Sequence, residues 1–391
     1  MRRYLKILFL LLFVLFVAGC ANFSPKTTWK LIHGYAKNDS VNAGIVSKDG
    51  NFIFAGYSNS KNPNGEDDVY VLKIDKWGNV LGELFPFGER DDNAQCIIET
   101  SDGGFLVVGE SYSYATGISK DLYVMKYDSL GNLSWAKNFG GMDMDGGRWA
   151  IEDSEGNYVI VGWTRSFGAG NSDFYVLKLS PNGTVIWTKT WGGGNFDEAN
   201  SILEVSDGYL VVGFTLSYSA GGKDVALVKF DKNGNVLWYK TYGGSKDDVG
   251  SKIIETSDGN FLIIGSTLSY GTSGDIYVLK IDGNGNLLWQ ANYGGEKEDY
   301  ANDVKETLDR GFIIVGATRS FSCLGLGIFL VKIDSKGELV WQKVYDGEGD
   351  DEANTVILMN DGGFLVGGYT RSWGAEQSDV IIMRLNSKGE L

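Results

Sequence analysis

The sequence predicts an all-β fold, a seven-bladed β-propeller with four-stranded blades. Three observations predict it: a unit of 51 to 53 residues that occurs seven times, four short strand patterns within each unit, and no helical period after residue 19. Self-similarity at a fixed period of this length is typical of propellers, whose blades are four-stranded antiparallel sheets. A content of 55 Gly and only 4 Pro in 391 residues fits a chain that makes many tight turns.

Two residues mark the seven units most clearly, an aspartate before the first strand and a glycine in the second strand. The aspartates are Asp39, Asp92, Asp145, Asp197, Asp248, Asp299 and Asp351. The glycines are Gly56, Gly109, Gly162, Gly213, Gly265, Gly316 and Gly368. Because the unit recurs along the chain, we expect one closed domain, although a length of 391 residues would otherwise suggest two or three.

The four strands of a unit can be identified in the fifth repeat. Strand A is predicted at 252–256, strand B at 261–264, strand C at 276–282 and strand D at 287–289. The unbroken apolar run of strand B predicts burial on both faces. Short turns with Asp-Gly or Asn-Gly separate A from B and C from D, and they indicate hairpins because Gly and Asn accept positive φ.

The last unit contains strands A, B and C, and its strand D is expected from the other end of the sequence. The segment Thr28-Trp29-Lys30-Leu31-Ile32 is similar to strand D of the fourth unit, Trp238-Tyr239-Lys240-Thr241. An N-terminal strand that completes the seventh blade would close the ring and remove an exposed sheet edge. We therefore predict a single propeller over residues 29–391.

The N-terminal segment has the pattern of a secretory leader. Residues 1–19 contain three basic residues followed by an apolar run over 7–18. The sequence Val17-Ala18-Gly19-Cys20 resembles the lipobox of bacterial lipoproteins, which implies cleavage before Cys20, acylation of Cys20 and a short tether over 20–28. An uncleaved anchor helix is the alternative. Either case predicts an extracytoplasmic protein held at a membrane, and by resemblance to lipoprotein sorting Ala21 favours the outer membrane or cell surface.

The charge and cysteine content exclude several classes of function. The formal net charge is −15, and loss of the three basic leader residues would make it −18. Such acidity disfavours nucleic acid and anionic lipid surfaces as partners and is compatible with cations, basic proteins or neutral glycans. Cys96 and Cys323 are far apart and do not form a disulfide framework, and His33 is the only histidine, so no His-based zinc site is expected.

The hairpin pattern Asp-x-x-Gly-x-x-x-Trp, from Asp231 to Trp238, resembles the C–D hairpin of quinoprotein-like propellers. Overall the chain resembles the repeat-propeller lipoproteins and surface proteins of bacteria and archaea across residues 29–391. The repeat differs from WD40 and kelch repeats, because it has no Gly-His or Trp-Asp signature and its Gly-Gly pair follows the Trp. The sequence contains no quinone-binding constellation, so the resemblance implies the fold and not the cofactor.

The repeated aspartates Asp39, Asp92, Asp145, Asp197, Asp248, Asp299 and Asp351 are a candidate metal site. They precede strand A on the face that carries the longer D–A and B–C loops, where binding residues tend to concentrate. A ring of carboxylates could hold a hard cation such as Ca²⁺. The preferred interpretation is structural, since each Asp can accept backbone N–H bonds and shape its own loop.

Residues that depart from the repeat are the better candidates for ligand contact, because a structural role would recur. Arg165, Arg319 and Arg371 replace an aliphatic residue of other units, and Trp149 replaces the residue equivalent to Lys252. Aromatic and Arg side chains together would suit a sugar or a peptide. The predicted ligand-binding residues are Arg148, Trp149, Arg165, Trp191, Arg319, Arg371 and Trp373, with Trp163, Phe196 and Tyr300 as further candidates.

No pattern of catalytic residues stands out. The sequence has no Gly-x-Ser-x-Gly or His-Glu-x-x-His motif, and Asp282-Gly-Asn-Gly-Asn lacks the later ligands of an EF-hand loop. The favoured hypothesis is therefore a lipid-anchored envelope propeller, a monomeric ring without cofactor, that binds a protein, a peptide or a glycan. The alternatives are an extracytoplasmic hydrolase or lyase acting on polysaccharide, and a cation-binding propeller.

Overall fold

The computed structural model describes residues 28–86, 88–116, 119–321, 323–374 and 377–391. In these residues 28 strands form seven four-stranded antiparallel sheets, which are the blades of a propeller. The predicted leader, Cys20 and the tether up to residue 27 lie outside the described residues. Over the described ranges, no helix is long and apolar enough to cross a membrane.

Strands A and B form the inner half of each blade, and strand A begins at the repeated Asp. The seven A strands are β2 (Asp39–Val46), β6 (Asp92–Glu99), β10 (Asp145–Glu152), β14 (Asp197–Val205), β18 (Asp248–Glu255), β22 (Asp299–Glu306) and β26 (Asp351–Leu358). The B strands are β3 (Phe52–Ser58), β7 (Phe105–Ser111), β11 (Tyr158–Thr164), β15 (Gly208–Thr215), β19 (Phe261–Thr267), β23 (Phe312–Thr318) and β27 (Phe364–Thr370).

Strands C and D form the outer half of each blade. The C strands are β4 (Asp68–Ile74), β8 (Asp121–Tyr127), β12 (Asp173–Leu179), β16 (Asp224–Asp231), β20 (Asp275–Ile281), β24 (Gly327–Ile333) and β28 (Asp379–Leu385). The D strands are β5 (Val80–Leu84), β9 (Leu133–Phe139), β13 (Val185–Trp191), β17 (Val236–Tyr242), β21 (Leu287–Tyr293), β25 (Leu339–Tyr345) and β1 (Trp29–His33).

The ring closes as the sequence predicts. Strand β1 pairs with β28 as the outermost strand of blade 7, with Trp29 opposite Arg384 and His33 opposite Val380. Strand β2 of blade 1 packs against β26, β27 and β28 of blade 7. This pairing covers the edge of β28 and gives blade 7 the same four strands as the other blades.

Strands A and D are longer than the sequence patterns suggested. In the fifth blade strand A begins at Asp248, before the predicted Lys252, because a β-bulge at Ser251 interrupts the pairing without ending the strand. Strand D continues past Trp289 to Tyr293, since alternate residues there face solvent and dilute the apolar signal. The B strands are buried along nearly their whole length, as expected.

The A strands form the innermost ring, because each one contacts the A strands of both neighbouring blades. All seven carry a bulge of one residue at the same place. A bulge turns the side chains beside it in a new direction. The bulges therefore decide which residues line the axis.

The D–A and B–C loops share one face of the ring, which we call the loop face. Backbone bonds join the two kinds of loop: Leu268 N–H donates to the Asp247 carbonyl, and Arg165 N–H donates to the Met144 carbonyl, at 2.8 and 2.9 Å. The A–B and C–D turns lie on the opposite face, where glycines such as Gly234 adopt positive φ. The predicted arrangement of faces is confirmed.

Candidate functional site

A polar cavity of about 270 Å³ lies on the propeller axis. Each blade contributes its bulge residue to the lining: Asn42, Gln95, Arg148, Asn200, Ser251, Asn302 and Asn354. The residues that follow four of these bulges also line the cavity, and they are Trp149, Lys252, Asp303 and Thr355. The cavity is thus built from one segment of each A strand and differs in chemistry from blade to blade.

Four bulge asparagines link neighbouring blades. Their side-chain amides donate to a backbone carbonyl of the next blade, from Asn42 to Ala94, from Asn200 to Gly250, from Asn302 to Ala353 and from Asn354 to Val41, at 2.8 to 3.0 Å. The last of these bonds joins blade 7 to blade 1. Gln95, Arg148 and Ser251 make no such bond in the described structure, so three bulge positions do not serve this structural role.

Lys252 is the most unusual group in the cavity. Its side chain is buried, with 5% of the residue exposed, and Nζ has no hydrogen-bond partner among the described residues. Nζ lies over the indole ring of Trp149. Burial lowers the pKa of Lys252 to about 7, although the carboxylate of Asp303 opposes this shift.

Asp303 lies near Lys252 but its oxygens are occupied by other donors. Oδ1 accepts the backbone N–H of Val304 at 2.9 Å, and Oδ2 accepts that of Val356 at 3.0 Å. The ammonium of Lys305 lies 3.3 Å from Oδ1. Burial alone would raise the pKa of Asp303, but Lys305, Lys252 and these N–H groups hold it below its usual range. Asp303 is therefore a carboxylate that joins β22 of blade 6 to β26 of blade 7.

Cys96 occupies the same position after the bulge in blade 2. It is fully buried as a free thiol, and burial raises its pKa to about 12. A thiol held in this state is a poor nucleophile and a poor metal ligand. Cys323, on the B–C loop of blade 6, is likewise free and buried.

A cluster of charged and aromatic residues connects the cavity to the loop face. Glu110, near the end of β7, forms ion pairs with Arg148 of the cavity, at 3.2 Å, and with Lys120 of the B–C loop. The ammonium of Lys120 lies 5.1 Å from the ring centre of Trp163. Arg165 lies 5.6 Å from the same ring, within the range of a cation–π contact.

Glu352 is the centre of a second polar cluster, between blades 6 and 7. The side-chain amide of Asn302 donates to it at 2.8 Å, and the hydroxyls of Tyr300 and Tyr369 also donate to it. Burial raises the pKa of Glu352, and Asp350 acts in the same direction against these hydrogen bonds. Tyr300, a candidate from the sequence, is therefore linked to the cavity only through Glu352 and Asn302.

The seven repeated aspartates are buried and shape their loops. In the fifth blade Asp248 Oδ2 accepts the backbone N–H of Gly244 at 2.8 Å and the hydroxyl of Ser269 at 2.6 Å. The Ser that follows strand B makes the same bond to Asp39, Asp145, Asp197, Asp299 and Asp351. Within the described ranges no group of three or more His, Cys, Asp and Glu side chains could hold a metal ion. The aspartates remain a predicted cation site, and the carboxylate that begins strand C lies nearby, as Asp224 does beside Asp248.

Strand C begins with a buried aspartate in six blades, and blade 6 is the exception. There Gly327 replaces the aspartate, while Asp346 replaces the glycine that follows strand D in other blades. A Cβ on Gly327 would lie 3.3 Å from Asp346 Oδ1, so the carboxylate reaches the same place from another strand. A carboxylate therefore lies near this point in blade 6 as it does in the other blades.

The predicted ligand-binding residues do not form one site. Arg148 and Trp149 line the cavity, whereas Arg165, Arg319 and Arg371 are exposed on the loop face at one repeat position. Arg319 lies 3.7 Å from Glu298 and 4.0 Å from Asp350.

The remaining two predicted residues are packed. Trp191 is 9% exposed and packs with Tyr218 and Tyr239, with ring centres 5.2 and 5.3 Å away. Trp373 is partly buried against the core of blade 7, with Lys30 over its ring at 4.0 Å. Both positions have a structural explanation in this packing.

Sequence reasoning did not select Lys252, Asp303, Glu110 or Glu352. A signal for the first two was present, because the residue after the bulge varies more than its neighbours: Ala43, Cys96, Trp149, Ser201, Lys252, Asp303 and Thr355. The bulge hid this signal, because the alternation of apolar and polar residues along the strand does not show where an extra residue lies.

A larger cavity of about 510 Å³ opens between blades 1 and 2 on the side of the A–B and C–D turns. It lies where Gly82 stands in place of the Trp of strand D. Its lining includes Ile53, Leu84, Phe105 and Gly131.

Comparison with known sequences places part of the chain beside a propeller family. Residues 154–185 match the model described as "Domain of unknown function (DUF5122) beta-propeller". The regulatory protein FlaEY of Caulobacter vibrioides is 28% identical over 172 residues, which cover 37% of this chain and 18% of that protein. The chain thus matches less than a fifth of the length of this relative.

Solved structures resemble the whole ring. A protein of unknown function from Dyadobacter fermentans has a TM-score of 0.54 at 12% identity, over 91% of this chain and 97% of that chain. An α-L-arabinanase from Penicillium chrysogenum has a TM-score of 0.52 at 11% identity, over 93% and 99% of the two chains. At such identities the likeness shows the fold alone. The chain is a seven-bladed β-propeller with four-stranded blades.

Proposed function

We propose that this protein is a lipid-anchored propeller of the cell envelope that binds a carboxylate-bearing ligand, a peptide or a glycan, at its axial cavity. The observation that carries the proposal is Lys252, a buried amine without a hydrogen-bond partner among the described residues, in a polar cavity on the axis. An unpaired buried charge is costly, and a ligand carboxylate would supply the missing acceptor.

The repeat supports a role in binding rather than in folding. At the position of Lys252 other blades have Ala43, Ser201 or Thr355, which are small side chains and serve the same bulge. The fold therefore does not require a long cationic side chain there. Trp149 beside it offers an apolar surface for the rest of a ligand.

The charges at the mouth agree with an acidic ligand. The protein has a net charge of −15 and its loop face carries exposed carboxylates such as Asp247 and Glu298, yet Arg165, Arg319 and Arg371 are also exposed there at one repeat position. Local positive charge on an acidic protein attracts anions at short range while the whole surface repels them. These three side chains would select carboxylate groups and guide them toward Lys252.

The position of β1 supports an anchor that leaves the loop face free. Trp29, the first residue of β1, pairs with Arg384 at the end of strand C, so it lies at the C–D turn side of the ring. The first residue of strand D on this side is an exposed aliphatic in the other six blades: Val80, Leu133, Val185, Val236, Leu287 and Leu339. Acylated Cys20 would hold this side toward the lipid and the loop face outward.

Binding can be tested by titration calorimetry with glutamate-rich peptides and oligogalacturonates on the soluble chain that begins after Cys20. Saturable binding is expected for one class and is expected to weaken at least about tenfold in Lys252→Met, since a charge-assisted hydrogen bond is lost. Lys336→Met, which removes an exposed Lys of a C–D turn, is the matched control. No binding to either class, or equal affinity in all three proteins, would contradict the proposal.

The anchor is tested separately in cells by fractionation. The intact protein is expected in the membrane fraction, and Cys20→Ala is expected to leave it. Membrane retention of Cys20→Ala at the level of the intact protein would show that Cys20 is not the anchor and would favour an uncleaved helix.

A further inference from the structure

The cavity between blades 1 and 2 exists because one aromatic side chain of the repeat is missing. Strand D carries a Trp at one position in six blades: Trp29, Trp135, Trp187, Trp238, Trp289 and Trp341. In blade 1 this position is Gly82, which pairs with Lys73 as Trp135 pairs with Lys126 in blade 2. No atom lies within 4 Å of a Cβ placed on Gly82.

The surroundings of an indole are known from the six filled positions. Each Trp lies over the C–D turn glycine of the next blade, as Trp135 does at Gly183, where an added Cβ would meet the ring at 3.0 Å. The indole N–H of Trp135 donates to the Pro181 carbonyl at 3.0 Å. Its ring packs beside Tyr158, the first aromatic residue of the next strand B, with centres 6.3 Å apart.

The vacant position retains all three of these neighbours. Gly131 is the C–D turn glycine of blade 2, and the nearest atom to a Cβ there is Leu84 Cδ1 at 4.0 Å. Phe105 begins strand B of blade 2 and lines the cavity. The carbonyl of Ser129, also in the lining, stands where Pro181 accepts the indole N–H in the next interface.

We propose that this cavity binds an indole ring that comes from another molecule. The ring would lie on Gly131 beside Phe105, and its N–H would donate to the Ser129 carbonyl. A volume of about 510 Å³ leaves room for a substituent on the indole, and the charged side chains of Lys48 and Glu99 in the lining offer polar contacts to it beside their bonds to Ser101 and to the Lys48 N–H. The site is separate from the axial cavity and does not depend on the proposed function.

The probes are N-acetyltryptophanamide and its 1-methylindole analogue, which lacks the N–H donor. In calorimetry we expect the first to bind with a dissociation constant on the order of 0.1–1 mM, and the second about fivefold to tenfold more weakly. N-acetylglycinamide is the control for the amide groups. A peptide with one Trp is then compared with N-acetyltryptophanamide. If the peptide binds at least about tenfold more tightly, the indole comes from a polypeptide; if the two bind equally, it comes from a small molecule.

Gly82→Trp tests the location, because its own indole would fill the cavity and abolish binding of the probe. Ser134→Trp, which adds an exposed Trp to strand D of blade 2, is the matched control and is expected to bind the probe normally. If Gly82→Trp does not fold, Gly82→Leu and the methyl analogue on the unaltered protein give the same test. The proposal is overturned if N-acetyltryptophanamide does not bind, if both indoles bind equally, or if folded Gly82→Trp retains binding. Lys252→Met is expected to bind the probe normally, so this test and that of the axial cavity fail independently.

Discussion

At the scale of single residues, the buried amine of Lys252 has a cost that can be measured. Its pKa of about 7 lies below the ordinary value of 10.5, so the unfolded chain binds a proton between these pH values that the folded chain does not. The stability contributed by this group is therefore lowest below pH 7 and rises as the pH increases from 7 to 10.5.

Lys252→Met is accordingly expected to stabilise the fold at pH 6, by about 1–4 kcal/mol, because an apolar side chain of similar length removes the buried charge. The gain should shrink toward pH 10. Urea unfolding at pH 6, 8 and 10 measures it. A variant that is less stable than the unaltered chain at pH 6 would mean that Lys252 is a structural residue.

The repeated aspartates lead to a second prediction at this scale. Asp248→Ala leaves the N–H of Gly244 and the hydroxyl of Ser269 without their acceptor and is expected to cost about 1–3 kcal/mol. Glu296→Ala, on the exposed part of a D–A loop, is the control and should cost little. Thermal unfolding of the three proteins gives the comparison.

The same measurement distinguishes the two interpretations of the aspartates. If they only shape their loops, neither excess Ca²⁺ nor a chelator should move the unfolding midpoint of the unaltered chain. A midpoint that rises with Ca²⁺ in the unaltered chain and not in Asp248→Ala would instead assign the ring of carboxylates to a cation.

At the scale of elements, a cation on strand C pairs with an aspartate of the A–B turn in every blade, and it is buried in all of them except blade 1. The pairs are Lys73–Asp49, Lys126–Asp102, Lys178–Asp153, Lys229–Asp207, Lys280–Asp258, Lys332–Asp309 and Arg384–Asp361. Each pair joins strand C to the turn that precedes strand B, so one strand lies between the two partners along the chain. The sequence shows these residues as repeats but does not show that they meet.

The pair between Lys126 and Asp102 gives a prediction for pH dependence. Partial burial raises the pKa of Asp102, but hydrogen bonds from Lys126, Thr100 and Gly104 outweigh it and lower the pKa to about 2, below the ordinary 3.8. Its stabilisation is therefore complete above pH 3.8 and is lost as the pH falls toward 2.

Asp102→Asn should thus be less stable than the unaltered chain at pH 7, and the two should converge at pH 2. Denaturation across this range measures the difference. Ser129→Ala, at the neighbouring C–D turn, is a control that should not change the pH profile. A difference that stays constant from pH 7 to pH 2 would contradict the role of the carboxylate.

The predicted and observed strand bounds show which features of a strand can be recognised in its sequence. Strand β19 was predicted because an apolar run flanked by turn residues indicates a buried strand. The start of β18 was missed, because the bulge at Ser251 breaks the alternation that identifies a strand. Since that bulge turns Ser251 and Lys252 toward the axis, the same feature concealed both the boundary and the cavity.

At the scale of the whole molecule, the repeat determined the ring and departures from the repeat determined its chemistry. Blade number, closure by β1 and the two faces follow from spacing and turn residues, which are local in sequence. The axial cavity brings together Trp149 of blade 3, Lys252 of blade 5 and Asp303 of blade 6. Such a meeting depends on the curvature of the closed ring, and no single unit of the sequence contains it.

The central claim is that the buried amine of Lys252 binds a ligand carboxylate in the axial cavity. Titration of this side chain tests the claim most directly. Lysine labelled with ¹³C at Cε allows each amine to be followed by NMR, and the spectrum of Lys252→Met assigns the signal. The groups that face this amine are Asp303 and Lys305 on β22, Cys96 on β6 and Arg148 on β10. We predict a midpoint near pH 7 in the free protein and a higher midpoint when the carboxylate ligand is bound. A midpoint at the ordinary 10.5 that no carboxylate moves would contradict the claim.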